Sequence, residues 1–401
     1  MQSQFHPQNK KEFIFLILIL GSVIAIGPLT IDIYLPAFSV IAKTFAARES
    51  LVQLSLTTYF IGIAFGQLLY GPIIDRYGKK PPLFFGLTLF FFSSLACFFA
   101  KNIEQIIIFR FFQALGACAC TVIPRSIVRD IFAPQESGRV FSHLVLVMGV
   151  APILAPTIGN LLLINFGWRM IFAFLAAFSV FCLIVAWRAI PETRGFNPDE
   201  KIRDAFKKYL GILHDSHFVI CTLTGGMMMG ALFSYITGSP FLYLDFYQLS
   251  STNYGVIFSI NSIGFVISSQ INARLLKKFS IEKLLAKIVY IPSIAGVALV
   301  AASFNDNPNF WSLSILFFII LCSCGMIMPN ATALALASQP KHTGSAAALM
   351  GTIQFSLAAI ASFLISKFND GSALPLAIIV AGCTGLSFLI FKKFHGKRSQ
   401  T

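Results

Sequence analysis

The chain has 401 residues, of which 56% are hydrophobic and 11% charged, and its formal net charge is +14. Soluble domains carry about 25% charged residues, so this composition excludes a soluble enzyme. The positive charge does not indicate nucleic-acid binding, because the Lys and Arg residues lie in turns between apolar segments.

Apolar segments of about 20 residues recur along the whole chain, and each is long enough to cross about 30 Å of hydrocarbon as a helix. They are continuously apolar, which excludes the alternating pattern of a membrane β-barrel. We therefore predict an all-α integral membrane protein with twelve transmembrane helices. The predicted spans are 13–38, 51–72, 82–100, 103–124, 140–164, 168–190, 217–244, 254–274, 282–303, 310–330, 343–366 and 372–391.

The longest charged stretch falls between the sixth and seventh spans, at 191–215. It predicts two six-helix halves joined by a linker. The predicted units are an N-terminal half (1–190), a cytoplasmic linker (191–216) and a C-terminal half (217–401). Within the linker, 204–209 is expected to form either a short surface helix or a solvated coil.

The basic residues are distributed unequally over the loops. When successive loops are assigned alternately to the two sides of the membrane, 24 of the 30 Lys and Arg residues share the side of both termini and the linker, and five lie on the other side. The positive-inside rule then predicts that both termini are cytoplasmic.

No cofactor or metal site is indicated. Cys118 with Cys120 and Cys322 with Cys324 form C-x-C pairs, but the further cysteines and histidines of a zinc site are lacking. We interpret the cysteines as small apolar side chains.

Asp32 is the one acidic residue well inside an apolar span. An isolated carboxylate costs several kcal/mol in lipid, so it should face a cavity or a partner and marks a functional site. Pro28 and Pro36 flank it, and each removes a backbone hydrogen bond, so the helix can line a polar cavity there. Alternatively, Asp32 only bonds a neighbouring helix backbone or is permanently neutral.

Arg110 is the basic residue inside a span. Counting from the predicted outer ends puts Asp32 about 9 Å and Arg110 about 10 Å beneath the same face. If the first and fourth helices are neighbours, the two charges can meet, and a proton arriving on Asp32 would release Arg110. The alternative is that Arg110 binds carbonyl groups of an adjacent broken helix.

The loop after the second span combines glycines with charges. Gly71 permits close helix approach and Gly78 a tight turn, whereas Asp75 can accept from the N-terminus of a facing helix. Arg76 and Lys79 are expected to bind acids or lipid phosphates at the membrane surface.

The fifth span contains a row of small residues and prolines. Pro152, Pro156 and Gly159 predict a bent seam on which one helix moves against another.

These motifs resemble those of the major facilitator superfamily and, within it, drug:proton antiporters of the bicyclomycin-resistance type. The matching segments are 30–36, 71–80, 110–116, 125–130 and 151–159. Ala155 and Asn160 depart from the fifth-helix motif, which has glycine at both positions.

The resemblance implies that helices 1, 4, 7 and 10 line a central cavity that opens alternately to the two sides. It also implies that Asp32 and Arg110 couple proton movement, that 71–79 forms a conformational latch, and that the fifth helix is the hinge seam. Candidate substrate contacts are Tyr34, Gln113, Met148, Tyr235, Asn261 and Gln354.

We expect a monomeric transporter of the bacterial inner membrane that exchanges a lipophilic, cationic or neutral compound for a proton. Its expected partners are the lipid bilayer, a small-molecule substrate and protons, and no nucleic acid. The alternatives are export or import of a metabolite or siderophore on the same fold, and a non-transporting membrane sensor. No constellation of catalytic residues indicates an enzyme.

Overall fold

The computed structural model describes residues 10–132, 134–190, 192, 196–197, 202–305, 307–340 and 342–398. Its regular elements within these ranges are helical. The helices are α1 (Lys10–Asp32), α2 (Phe38–Thr44), α3 (Glu49–Tyr77), α4 (Lys80–Phe98), α5 (Ile103–Ile131), α6 (Pro134–Phe166), α7 (Arg169–Ala189), α8 (Ile202–Leu213), α9 (Ser216–Pro240), α10 (Ser251–Leu275), α11 (Ile281–Ile288), α12 (Tyr290–Ser303), α13 (Phe310–Ala337), α14 (Thr343–Phe368) and α15 (Leu374–Arg398).

Eleven segments of the described chain are long and apolar enough to cross a membrane, and Val150–Phe166 is a shorter apolar helix. Together they account for the twelve predicted spans, so the predicted fold class is confirmed. Successive spans run in opposite directions. We call the end of the bundle where α1 begins the terminal end, and the opposite end, where α2 finishes, the distal end.

The first span differs from the prediction because it is interrupted. Helix α1 ends at Asp32, a 3₁₀ turn follows at Leu35–Ala37, and α2 continues to Thr44. Asp32 therefore lies about twelve residues, or roughly 18 Å, from the distal end of the span. The predicted depth of about 9 Å was wrong, because the predicted span stopped at residue 38.

Helices α1–α7 meet helices α9–α15 mainly along two pairs, α3 with α14 and α6 with α10. Hydroxyl groups bridge the first pair: Thr57 donates to Ser362 (3.0 Å), and Ser366 donates to the carbonyl oxygen of Ser50 (2.5 Å). Ser259 of α10 donates to the Ile153 carbonyl oxygen of α6 (3.0 Å). Polar side chains therefore bond across this boundary within the apolar bundle.

Glycine permits close contact where α4 crosses α5. A Cβ atom on Gly116 would lie 2.5 Å from the carbonyl oxygen of Gly86 and 2.7 Å from the backbone nitrogen of Phe90. Because backbone atoms cannot move aside as a flexible side chain can, this crossing requires glycine. Such small-residue contacts drive helix association in lipid, where the solvent is as apolar as the helices.

We predict that Gly116→Ala lowers the apparent melting temperature in detergent by several degrees, since overpacking costs about 1–3 kcal/mol. The matched control is Gly382→Ala in α15, where a Cβ has open space. Alanine favours a helix by about 1 kcal/mol over glycine, so the control should be unchanged or slightly stabilised. Equal shifts in the two variants would contradict this account of the crossing.

Candidate functional site

Asp32 lies at the break of the first span and is 3% exposed. Its Oδ1 atom is buried and has no hydrogen-bond partner. Tyr254 of α10 lies close enough for an electrostatic interaction with the Asp32 carboxyl group. The carboxyl group therefore belongs to α1 and lies near α10, on the other side of the boundary between α1–α7 and α9–α15.

Arg110 is fully buried in α5, and α5 packs against α1, which is the arrangement that a meeting of the two charges would require. Its Nη1 atom donates to the carbonyl oxygen of Thr30 (3.2 Å) and to Oε1 of Gln113 (2.8 Å). Its Nε and Nη2 atoms are buried without a partner. The guanidinium group thus binds a carbonyl of the last turn of α1.

Two tyrosine rings hold the Arg110 guanidinium group between them. The guanidinium carbon lies 4.3 Å from the ring centroid of Tyr59 and 4.9 Å from that of Tyr34. A buried cation over an aromatic face gains about 2 kcal/mol or more. The two rings therefore stabilise the buried cation without a carboxylate partner.

Arg110 and Asp32, both among the described residues, form no ion pair within 4.0 Å. The direct meeting of the two charges that we considered is not present in this arrangement. The alternative, in which Arg110 binds carbonyls of an adjacent broken helix, is what the structure contains. The physical reason is that the side chain reaches Thr30, two residues before Asp32, in a region closed by Tyr34 and Tyr59.

The hydrogen-bond network around Arg110 extends to two further helices. Gln113 Nε2 donates to Ser94 Oγ of α4 (2.8 Å), and the Tyr34 hydroxyl group lies 3.2 Å from Ser55 Oγ of α3. We call Arg110, Gln113, Tyr34, Tyr59 and Ser94 the Arg110 cluster.

A second polar cluster lies in the C-terminal spans. Asn261 Nδ2 donates to the Tyr235 hydroxyl group (2.6 Å), and the hydroxyl groups of Tyr254 and Ser239 are 3.1 Å apart. The rings of Tyr243 and Tyr254 are 6.3 Å apart. We call these five residues the tyrosine cluster; through Tyr254 it reaches Asp32.

The seam in α6 contacts both sides of the boundary. A Cβ on Gly159 would collide with the carbonyl oxygen of Ile33, so glycine is needed where α6 crosses the break of the first span. Asn160 Nδ2 donates to Thr252 Oγ1 of α10 (3.2 Å). The departure from the motif glycine at position 160 therefore supplies a side chain that bonds across the boundary. Pro156 lies next to Gly255 of α10, with 4.0 Å between its Cβ and a Cβ built on that glycine.

The loop from α3 to α4 ties together helices of the terminal end. Gly78 has a φ of +81°, which explains the glycine at this turn. Lys79 pairs with Asp130 and donates to the Ser126 carbonyl oxygen (3.0 Å). Glu192 accepts from the backbone nitrogens of Lys79 and Lys80, at 2.9 Å each. Because Lys79 is 3% exposed, it binds an acid of the chain and not a lipid phosphate in this arrangement.

Arg76 and Asp75 lie at the end of α3. The Arg76 guanidinium carbon is 5.6 Å from the Tyr77 ring centroid, and its Nε atom is buried without a partner. The carbonyl oxygen of Arg76 accepts from the backbone nitrogen of Asn197 (2.8 Å). Asp75 lies near Tyr209 of α8, a contact that sequence reasoning did not anticipate.

Helix α8 realises the surface-helix alternative for the linker, over a longer range than 204–209. Tyr209 and Ile212 are buried, whereas Lys207, Lys208 and Leu210 are exposed. The Tyr209 hydroxyl group donates to the Leu68 carbonyl oxygen of α3 (3.3 Å). Burial, with the Asp75 charge as a smaller contribution, raises the pKa of Tyr209 to about 12, so this donor keeps its proton at neutral pH.

The residues expected to contact substrate separate into groups. Tyr34 and Gln113 belong to the Arg110 cluster, and Tyr235 and Asn261 to the tyrosine cluster. Gln354 lies apart, against Gly225 and Gly226 of α9. All five are at most 8% exposed. The side chain of Met148 lies outside the described residues.

Sequence reasoning missed Tyr59 and Tyr254. Both rings contact residues on other helices, and a tyrosine within or at the edge of an apolar span carries no signal that identifies such a partner.

A separate groove of about 570 Å³ lies between α3 and α14. Exposed Ile61, Phe65, Ile360 and Phe363 line it, so it opens on the outer face of the bundle. Asp32 and the members of both polar clusters are absent from its lining. We therefore do not assign it as the coupling site.

We predict that Tyr59→Phe lowers the stability of the protein only slightly, because the aromatic face remains and only a long hydrogen bond to the Gly27 carbonyl oxygen (3.5 Å) is lost, whereas Tyr59→Leu lowers it by about 1–2 kcal/mol more. A thermal double-mutant cycle with Arg110→Met measures the coupling. In the Arg110→Met background, the two Tyr59 variants should differ by less than they do with Arg110 present. An unchanged difference would show that the ring stabilises the bundle independently of the cation.

Comparison with known proteins agrees with this architecture. A family model described as Major Facilitator Superfamily matches residues 18–362. The chain is 35% identical over 382 residues to the uncharacterized MFS-type transporter YdgK of Bacillus subtilis, with 94% of each chain covered. It is 28% identical over 386 residues to a bicyclomycin resistance protein homolog of Haemophilus influenzae, with 96% of each covered. Multidrug resistance protein D of Escherichia coli is 27% identical over 340 residues, with 84% of this chain and 85% of that protein covered.

Among solved structures, the xylose transporter XylE from E. coli in a partially occluded inward open conformation has a TM-score of 0.75 at 14% identity. The match covers 96% of this chain and 98% of that one. At this identity the likeness shows the fold. The matched family and the similar structure are transporters and not enzymes. The chain therefore belongs to the Major Facilitator Superfamily of membrane transporters.

Proposed function

We propose that this transporter is a proton-coupled antiporter that exports lipophilic compounds, cationic or neutral, across the bacterial inner membrane. The observation that carries the proposal is Asp32, a buried carboxyl group with an unpartnered oxygen at the break of the first span. Ionisable groups inside membrane spans are costly, and they mark ion and proton pathways.

The position of Asp32 couples proton binding to conformation. A carboxyl group that is buried in one state and hydrated in another binds protons with different affinity in the two states. Since Tyr254 lies on α10, the charge of Asp32 acts on the contact between α1 and the C-terminal spans. Proton binding therefore biases the equilibrium between two arrangements of these helices.

Arg110 acts in this proposal as an anchor of the broken helix. Its contacts with Thr30 and the two tyrosine rings hold the last turn of α1 in place beside Asp32. The proton on Asp32 therefore does not need to release Arg110. In the proposal, proton binding to Asp32 affects its contact with α10, whereas Arg110 fixes the position of the helical turn that carries the carboxyl group.

The moving bodies in the proposal are residues 1–190 and 217–401, joined by the linker 191–216, in a monomer. The α6 contacts with Ile33 and Thr252 support a hinge seam, because α6 touches both the break and α10. The excess of basic residues at the terminal end supports a cytoplasmic location for both termini.

The polar clusters and the names of the relatives support the proposed substrate class. Tyrosines, with an apolar ring and one polar atom, suit an adaptable site for lipophilic molecules. Arg110 is fully buried, its Nη1 atom bonds a carbonyl and a glutamine, and two tyrosine rings cover its faces, so in this arrangement the guanidinium group is closed off from an anionic substrate. Two relatives are named for resistance to bicyclomycin and to multiple drugs, which supports export of such compounds.

We predict that Asp32→Asn abolishes efflux driven by a pH gradient, because the amide keeps the size of the side chain but cannot carry a proton. The measurement is uptake of a lipophilic cationic dye into everted vesicles with an imposed gradient. Downhill dye movement should persist, since the barrier to alternation is not raised.

The matched control is Asp370→Asn, which removes an exposed carboxylate near the distal end. It should transport like the parent protein. Uphill transport by Asp32→Asn at the rate of this control would refute the coupling role. Substrate-induced proton release from the purified protein, absent in Asp32→Asn, tests proton coupling directly.

A further inference from the structure

At the distal end of the bundle, a polar contact joins α1–α7 to α9–α15. Ser39 of α2 donates to Oδ2 of Asp245 (2.8 Å). Asp245 lies in a π-helical turn, Phe241–Phe246, that continues α9. This hydrogen bond therefore joins two segments that are 206 residues apart in sequence.

A second carboxyl group meets Asp245 at the same place. Glu49, the first residue of α3, lies within hydrogen-bond distance of the Asp245 side chain. Two carboxyl groups can form a hydrogen bond only when one of them carries a proton, and two carboxylates at this separation repel each other. Because Asp245 already accepts from Ser39, Glu49 is the natural donor of the shared proton.

The other charged groups around the pair come from three elements. Lys43 of α2 is exposed and interacts electrostatically with Glu49. Arg48, immediately before α3, is also exposed. On α14, Ser366 bonds the Ser50 backbone, and the exposed Lys367 that follows lies 5.7 Å from the Phe368 ring centroid. These cations are exposed, so solvent screens their charges, whereas the Glu49 and Asp245 side chains are hydrogen-bonding neighbours.

We propose that a proton shared by Glu49 and Asp245 holds the distal end of the transporter closed, and that loss of this proton opens it. Closure then binds one more proton than opening does. By linkage, raising the pH favours the open arrangement, and the open-to-closed ratio changes by up to about tenfold per pH unit within the titration range.

This switch is separate from the coupling role proposed for Asp32. It requires neither a particular substrate nor a direction of transport, because it depends on the contact between α2, α3 and the turn after α9. In an antiporter of the proposed kind, acid on the distal side would promote closure of that side after substrate release.

The experiment measures the distance across the distal end by pulsed electron paramagnetic resonance in nanodiscs from pH 5 to pH 9. Spin labels are attached at Thr44→Cys and Asn253→Cys, two exposed positions on opposite sides of the boundary, with the partly exposed Cys322 and Cys383 replaced by serine. The parent protein should shift from a short to a longer distance as the pH rises.

Glu49→Gln and Asp245→Asn should each remain at the short distance across the whole pH range, because an amide preserves the hydrogen bond and removes the repulsion. The matched control is Glu104→Gln, which removes an exposed carboxylate in the first turn of α5 at the same end. It should respond to pH like the parent protein. Glu49→Gln and Asp245→Asn alter different segments of the chain. The same short distance in both variants would therefore show that the effect does not arise from misfolding of one of them.

The proposal is overturned if Glu49→Gln keeps the parental pH response, if the distal end opens on acidification, or if the parent distance does not depend on pH. Asp32→Asn, measured with the same labels, distinguishes the two proposals. A parental distal response in this variant, together with lost uphill transport, supports both. Undiminished uphill transport by Asp32→Asn refutes the role of Asp32 but does not contradict the proposed Glu49–Asp245 switch.

Discussion

The rest of the site depends on one constraint, the need to satisfy backbone polar groups where the first span is broken inside an apolar bundle. Lipid offers no hydrogen bonds, and each unsatisfied group costs several kcal/mol. Arg110 satisfies the carbonyl of Thr30, and Gly159 lets α6 approach the carbonyl of Ile33. The Arg110 cation of α5 therefore stabilises the break, and the absence of a side chain at Gly159 lets α6 pack directly against it.

This constraint explains why Arg110 contacts the helix and not Asp32. A guanidinium group presents five donors in a plane, which suits carbonyl oxygens and aromatic faces together. Tyr34 follows the break and Tyr59 lies on α3, so the rings that cover the cation come from the elements that the break brings together. Asp32 is left with a buried, unpartnered oxygen and a tyrosine across the boundary, which is why the proposed proton coupling is assigned to this residue.

The boundary between α1–α7 and α9–α15 is polar in several places. Thr57 with Ser362, Asn160 with Thr252 and Ser39 with Asp245 each bond across it. Hydrogen bonds between membrane helices contribute about 0.6 kcal/mol on average, less than an apolar interface of soluble helices gains from burial. Hydrogen bonds this weak can break and be replaced by others when the helices move. Alternating exposure of an interior site requires such replaceable contacts.

The amino-acid sequence by itself determined the spans, the class of protein and the two buried charges. The reason is that a bilayer imposes a length and a polarity on every crossing segment, and both are properties of the linear chain. The motifs around Asp32, Gly78 and Gly159 also identified positions where the backbone turns or packs closely.

The tertiary structure alone decided which side chains these positions meet. Depth counted along the chain matched Asp32 with Arg110, but the span continues beyond residue 38 and the partner of Arg110 is the carbonyl of Thr30. Tyr254 and Asp245 come from distant segments, and their proximity to Asp32 and Ser39 follows from helix packing that no local pattern encodes. A sequence specifies which residues lie inside the membrane, whereas the breaks, rotation and crossing of the helices specify their depth and their neighbours.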